Sequence, residues 1–362
     1  MRPIYKELNQ LPEKVLMKGN EALAEAAVLA GCRHFYGYPI TPQNELAAYM
    51  SRRMPKVGGT FLQAESEIAA IHMVIGAAST GERTMTGSSS PGIALKGEGL
   101  SYMAGCDLPA LIVNVQRAGP GLGGIQPAQA DYFQATRGMG HGDFKMLVLS
   151  PSTIQEMVDL TRVSFDLAET YRMPALMLTD GIMGQMMEPV VLPEPTPHPA
   201  CPDWAVGNRE SKGRRVINSL YLQPADLENV LIERYKRYDV IERNEPRHDS
   251  FLLEDADIVL AAYGASARIA KNVVLAARAE GIKAGLLRPI TLWPFPKNAF
   301  AQAAKTAKAF VSVEMSMGQM IEDIHLAIRH AKPVTLSNRT GGMVPQPDEI
   351  LEDVRKAAKG GA

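Results

Sequence analysis

From residue 14 onward, short apolar runs alternate with longer stretches of helical period. That is the pattern of stacked strand–helix–strand units around a parallel sheet. KVLMKG (residues 14–19) reads as a strand, and Asn20 stands where it would cap a helix through ALAEAAVLAG that stops at Gly31. HFYG follows as a second strand, residues 65–79 have the composition of a buried helix, TMTGSS is a strand and residues 92–104 a helix. LPALIVNVQ is apolar on both faces, as a central parallel strand must be. MLVLS, a helix after Ser152 and PALMLTD complete this set.

Five prolines between Pro193 and Pro202 can continue neither a helix nor a central strand, so PEPTPHPACP marks an extended connection. Beyond it, Leu227, Val230, Leu231, Tyr235 and Tyr238 recur at helical spacing among charges, predicting an amphipathic bridging helix over residues 225–243. The alternation resumes with ADIVLAAYG, a helix over 266–280, KAGLLRP, a helix near 297–307, AKAFVSVEMS and a helix from Gly318. The expected fold class is α/β, with two parallel-sheet domains at 1–192 and 255–362 joined by a linker and bridging helix over 193–254.

Composition narrows the function. A length of 362 residues fits about two domains. Lys plus Arg number 38 against 39 acidic residues, so a net charge of -1 gives no field for nucleic acid or an anionic membrane. Cys32, Cys106 and Cys201 form no CxxC pair, so any iron–sulfur cluster or zinc must be held elsewhere. Neither a signal-type apolar core at the amino terminus nor a run of 18 apolar residues is present, and a soluble, cytoplasmic protein is expected.

Candidate chemistry lies at the ends of the predicted strands. In GYPITPQNE the prolines stiffen the chain around Thr41, whose hydroxyl either presents a donor to a carboxylate or caps the next helix. Glu65 and Glu67 open an otherwise apolar helix, with Ile68, Ile71, His72 and Ile75 as its expected buried stripe, and one glutamate directed into it is a candidate buried acid. The bland reading is a partner for the helix dipole. His72 has no ligand pair at i+4, so a zinc site is not expected. SSSPG (88–92) reads as an anion cradle or a simple helix cap. Arg117, at the end of LPALIVNVQ, has the fork to clamp a carboxylate, a surface ion pair being the alternative. Gly119, Gly121 and Gly124 match GxGxxG, but the IQPAQADYF that follows is no helix opening, which argues against a dinucleotide site.

Together GNEALAEAAVLAG, YPITPQNE, QAESEIAAIHMVIGAAS, SSSPG and NVQRAGPGLGG resemble the alpha subunit of the 2-oxoacid:ferredoxin oxidoreductases. GASARIAKNVVLAARAEGI, RPITLWPFP and VEMSMGQM are similar to that family's second domain, itself like the carboxyl-terminal domain of transketolase. The resemblance implies a pyrimidine-binding domain for thiamine diphosphate, with Glu67 as the cofactor-activating acid, Pro39 beside the cofactor, and Thr41 and Arg117 on the substrate carboxylate. It implies coenzyme A as co-substrate and CO₂ as product. The chain lacks the GDG pattern that binds magnesium diphosphate, Thr179-Asp180-Gly181 being only a loop fragment, and it lacks cluster cysteines. A beta subunit holding the diphosphate and Mg²⁺, gamma and ferredoxin-like subunits with 4Fe–4S clusters, and ferredoxin itself are the implied partners. Gln43-Asn44 after YPITP resembles the branched-chain group and leans the substrate to 2-oxoisovalerate over pyruvate, 2-oxoglutarate or aryl 2-oxoacids. A non-catalytic assembly subunit and a dinucleotide-dependent oxidoreductase are the competing readings.

Overall fold

The computed structural model describes residues 13–197, 201–206 and 215–360. Strands β1 (Val15–Lys18), β2 (His34–Gly37), β3 (Thr60–Gln63), β4 (Thr84–Ser88), β5 (Leu111–Gln116), β6 (Leu147–Leu149), β7 (Ala175–Asp180) and β8 (Met187–Val190) precede the proline-rich connection. After it come β9 (His248–Phe251), β10 (Ile258–Ala262), β11 (Ala284–Pro289), β12 (Thr291–Trp293), β13 (Ala309–Glu314) and β14 (Val334–Asn338). The chain is α/β, with a seven-stranded sheet in the order β12-β6-β7-β5-β4-β2-β3 and a five-stranded sheet in the order β14-β13-β10-β11-β9. Only β12 and β9 run antiparallel to their neighbours in these two sheets.

Register decides where a site can form. Gly37 pairs with Gln63, Ser88 with Asn114 and Gln116 with Asp180, so the carboxyl ends of β3, β2, β4, β5 and β7 line one edge of the first sheet. That edge is where open parallel sheets gather ligands, because the turns into the following helices leave a crevice there. The interior strands β4, β5 and β7 are buried at every position, as two covering helical layers require.

Several expectations shift. The strand at residues 15–18 is not part of the parallel sheet; it pairs antiparallel with β8 in a two-stranded ribbon. Asn20 does not cap the first helix, which is Gly19–Leu29 with Lys18 at its N-cap. Asn20 is buried inside it, and its amide donates to the Pro42 carbonyl at 2.9 Å. The helix expected over 92–104 is two, Ser90–Leu95 and Gly97–Gly105, meeting at Lys96. The bridging helix is Pro224–Asn244, but its buried positions are Arg234, Tyr238 and Ile241, while Leu227 and Tyr235 are exposed. The proline-rich connection runs without regular structure to residue 197, and residues 198–200 lie outside the described residues.

One element crosses the expected partition at residue 255. β12 sits among the second-half strands in sequence yet pairs with β6 at the edge of the first sheet. Side chains join the halves as well. Gln129 accepts from the Ser266 hydroxyl and the Met315 amide and donates to the Tyr263 carbonyl, and Tyr132 donates to Asp323 at 2.6 Å. Among the described residues, no helix is long and apolar enough to cross a membrane.

Candidate active site at the carboxyl edge of the first sheet

Glu67 and Glu65 have separate fates. The helix after β3 is Glu67–Ser79, and its N-cap is Ser66, whose hydroxyl accepts from the Ala69 amide at 3.1 Å. Glu65 therefore stays outside the helix and is exposed, whereas Glu67 takes its first position and is 7% exposed. The buried face is Glu67, Ala70, Ile71, Val74 and Ala78. The expected stripe was wrong in part, since Ile68 is 47% exposed, His72 is exposed and Ile75 half-buried. A helix apolar almost all round has no single period-defined face, so packing against β2, β4 and helix Gly97–Gly105 chose it. Among the described residues no group of ligands could hold a metal ion, and exposed His72 is bonded to the Ile68 carbonyl.

Gly92 is the seat of the Glu67 carboxylate. A β-carbon built there would lie 2.6 Å from Glu67 Oε1 and 2.2 Å from Ser88 Oγ, so only glycine lets both oxygens share that turn. No described residue donates a hydrogen bond to the Glu67 carboxylate. Ser88 and Ser89 also keep buried hydroxyls without partners. Buried hydroxyls in natural proteins are nearly always bonded, so these two serines beside Glu67 fit a polar ligand that completes them.

SSSPG is neither a simple cap nor a free cradle. Ser89 stands at the N-cap without capping through its side chain, and Ser90 Oγ donates to Asp131 at 2.6 Å and accepts from the Arg117 amide at 3.0 Å. Asn114 reinforces this by donating to Asp131 at 2.9 Å. Burial pushes the Asp131 carboxyl up, and the Ser90 and Asn114 bonds pull it back.

Arg117 is 8% exposed and makes no ion pair among the described residues, which removes the surface-pair reading. Its guanidinium donates to the Thr41 carbonyl at 3.0 Å and to the Leu122 carbonyl at 3.2 Å, and its Nε is buried without a partner. The structure thus brings Thr41 and Arg117 together. Thr41 is not a helix cap, because the next helix starts at Asn44 with Gln43 as N-cap; its exposed hydroxyl accepts from the Asn44 amide group at 3.2 Å. Pro39 is exposed on the same loop. Gln43 is fully buried, its amide donating to the Tyr38 carbonyl, so it braces the loop from beneath.

The glycine motif does not build a dinucleotide site. Gly121 and Gly123 have φ of 68° and 58° in an irregular turn closed by Gly124 N to the Ala118 carbonyl, and the next helix is the five-residue Tyr132–Thr136. Thr179-Asp180-Gly181 is not a loop fragment either. Asp180 ends β7 and accepts from the Ile182 and Met183 amides; burial pushes its carboxyl up to about 6.

A glutamate without a donor and a buried arginine at the strand ends of one α/β unit, locked by side chains to a second, mark a two-part α/β protein with a ligand crevice at the edge of its first sheet. Comparison with known proteins makes this specific: residues 25–230 match the family described as pyruvate flavodoxin/ferredoxin oxidoreductase, thiamine diP-bdg. Residues 256–350 match pyruvate:ferredoxin oxidoreductase core domain II. The chain belongs to the 2-oxoacid:ferredoxin oxidoreductase family. It is 49% identical to the ketoisovalerate oxidoreductase subunit VorB of Methanothermobacter thermautotrophicus, over 95% of this chain and 97% of that one. It is 36% identical to the 2-oxoglutarate synthase subunit KorA of the same organism, over 96% and 99%. Among solved structures, the 2-oxoglutarate:ferredoxin oxidoreductase from Magnetococcus marinus, with 2-oxoglutarate, coenzyme A and succinyl-CoA bound, superposes with a TM-score of 0.85 at 27% identity. The chain covers 66% of that structure's chain, and that chain's match covers 96% of this one. A split-gene transketolase shares the fold at TM-score 0.59 and 13% identity.

Proposed function

We propose that this chain supplies the pyrimidine-side half of a thiamine diphosphate site for coenzyme A-dependent oxidative decarboxylation of 2-oxoisovalerate, with electrons passed to ferredoxin. The observation that carries the reading is Glu67, 7% exposed at the first position of its helix and with no hydrogen-bond donor on its carboxylate among the described residues. Thiamine diphosphate, when bound, supplies a nucleophilic carbon and an electron sink for loss of CO₂. Glu67 then exchanges a proton with the ring nitrogen N1′ through Oε1, the oxygen seated against Gly92. Pro39, exposed on the loop after β2, would wall the cofactor. Arg117, through its free Nε, and the Thr41 hydroxyl hold the substrate carboxylate, which orients the ketone toward the cofactor.

Pro39 and Thr41 are open to solvent, so a partner subunit must close the site. In this reading a beta subunit brings the diphosphate and Mg²⁺, and gamma and ferredoxin-like subunits bring the 4Fe–4S clusters. The substrate rests on the higher identity to the ketoisovalerate relative than to the 2-oxoglutarate ones. The test is Glu67→Gln in the assembled complex. Hydrogen–deuterium exchange at thiamine C2 should slow by roughly 10² to 10⁴-fold; exchange at the wild-type rate removes Glu67 from the role and leaves an assembly subunit. Turnover across a panel of 2-oxoacids tests the substrate, and equal rates on pyruvate and 2-oxoisovalerate would reject it.

A further inference from the structure

We propose that Asn20, Gln185 and Glu45 form a brace that positions the Thr41 loop and Arg117 for the substrate carboxylate. The proposal rests on the reading of Thr41 and Arg117 given above for its meaning in the reaction, though the brace itself is made of this chain's own bonds.

Three helices supply it. Asn20 lies in the first turn of Gly19–Leu29 and is 1% exposed, Gln185 ends the short helix Gly181–Gln185, and Glu45 lies in the first turn of the helix Asn44–Arg53. The Pro42 carbonyl accepts from Asn20 Nδ2 at 2.9 Å and from Gln185 Nε2 at 3.1 Å. The same two nitrogens donate to Glu45 Oε2 at 3.3 and 2.7 Å, and Lys18 Nζ lies 3.5 Å from Glu45 Oε1. A carboxamide nitrogen carries two hydrogens, so each amide can hold the Pro42 carbonyl with one and Glu45 with the other. Gly184 leaves room for this, since a β-carbon there would lie 2.8 Å from Asn20 Oδ1.

The effect on the site follows from chain order. Pro42 comes directly after Thr41, and Arg117 Nη1 donates to the Thr41 carbonyl at 3.0 Å. Two successive carbonyls of one loop are thus held by side chains from separate elements, and because each carbonyl lies in a planar peptide, both peptide planes after Thr41 are fixed. Pro42 is buried while Thr41 is exposed, so the brace grips the loop from inside and leaves the Thr41 hydroxyl outside. Arg117 takes its orientation from the Thr41 and Leu122 carbonyls. A loop released at Pro42 would carry the Thr41 carbonyl away, and the guanidinium with its free Nε would turn with it. Asn20, Gln185 and Glu45 act through Thr41 and Arg117, which makes them positioning residues.

The experiment compares Gln185→Met, which keeps the volume without the amide, and Glu45→Ala with Glu45→Gln, which keeps an acceptor. In the assembled complex, Gln185→Met and Glu45→Ala should raise KM for the 2-oxoacid roughly two- to tenfold, the range of one lost neutral hydrogen bond, and should lower kcat by less. Glu45→Gln should keep the wild-type KM, and exchange at thiamine C2 should stay near the wild-type rate in all three, since Glu67 is carried by another helix. An unchanged KM in Gln185→Met and Glu45→Ala overturns the proposal, and so does a loss of C2 exchange as large as the rise in KM. A second readout needs no cofactor. The Gln43 amide, bonded to the Ile40 carbonyl across the Thr41–Pro42 turn, should exchange with deuterium roughly two- to tenfold faster in full-length Gln185→Met than in wild type. Exchange at the wild-type rate overturns the brace. Arg117→Ala and Thr41→Val test the carboxylate contacts separately: if neither moves KM, that reading fails, and the Gln43 amide still decides whether the brace holds the loop.

Discussion

Among the described residues, Glu67 and Glu314 are each buried beside a helix entry, one in each layer, and their surroundings are opposite. Glu314, at the end of β13, is fully buried and accepts from the hydroxyls of Ser312 and Ser316 and from the amides of Gln319, Met320 and Ile321. It is an acceptor that the protein supplies to its own helix terminus. Glu67, at an equivalent entry in the first layer, receives no donor from any described residue, and two unpaired serine hydroxyls lie in the turn beside it. Burial alone therefore does not mark a reacting carboxylate. What separates the two is a filled against an unfilled set of bonds, and the open one leaves an acceptor for a ligand's donor.

The largest expected effect separating the two glutamates is functional. Glu67→Gln should leave thermal unfolding near wild type while C2 exchange collapses, and a destabilised variant would mean that Glu67 is structural like its counterpart. Glu314→Ala should do the reverse. Three amides and two hydroxyls lose their acceptor, so unfolding in denaturant should show a loss of roughly 3 to 5 kcal/mol. A loss under about 1 kcal/mol would erase the distinction. Arg117→Ala comes next: a roughly ten- to hundredfold rise in KM for the 2-oxoacid, from about 1.5 to 3 kcal/mol of charged hydrogen bonding, with an unchanged KM rejecting the clamp. Smallest is Gly92→Ala. The better helix propensity of alanine is offset by the collision of its methyl with Ser88 Oγ and Glu67 Oε1, and C2 exchange in the complex should fall about tenfold.

Much of this was legible in the residues, and the gaps have physical causes. The buried strands β5, β7, β10, β11 and β13 announce themselves as largely apolar runs because both of their faces are covered. β3, β9 and β14 were not picked out, since edge strands are short and half-wet and carry residues such as His248, Asp249 and Asn338. Glu67 was separable from Glu65 only through the family motif; Ser66 as N-cap is the local signal that would have decided it. SSSPG was picked out, but its tie to Asp131 and Lys96 was missed, because what brings Asp131 to it is strand register across the first sheet, which spacing along the chain does not encode. The lysine inside the apolar and glycine-rich GIALKGEG was the visible irregularity.

The strand Thr291–Trp293 carries a consequence for biosynthesis. Until it emerges from the ribosome, β6 is an uncovered sheet border, and the nascent first layer displays a row of unpaired backbone groups to every neighbouring chain. The amino-terminal layer cannot be finished cotranslationally before most of the second layer has been made, so overproduction should favour inclusion bodies over soluble protein whenever translation outruns that late pairing.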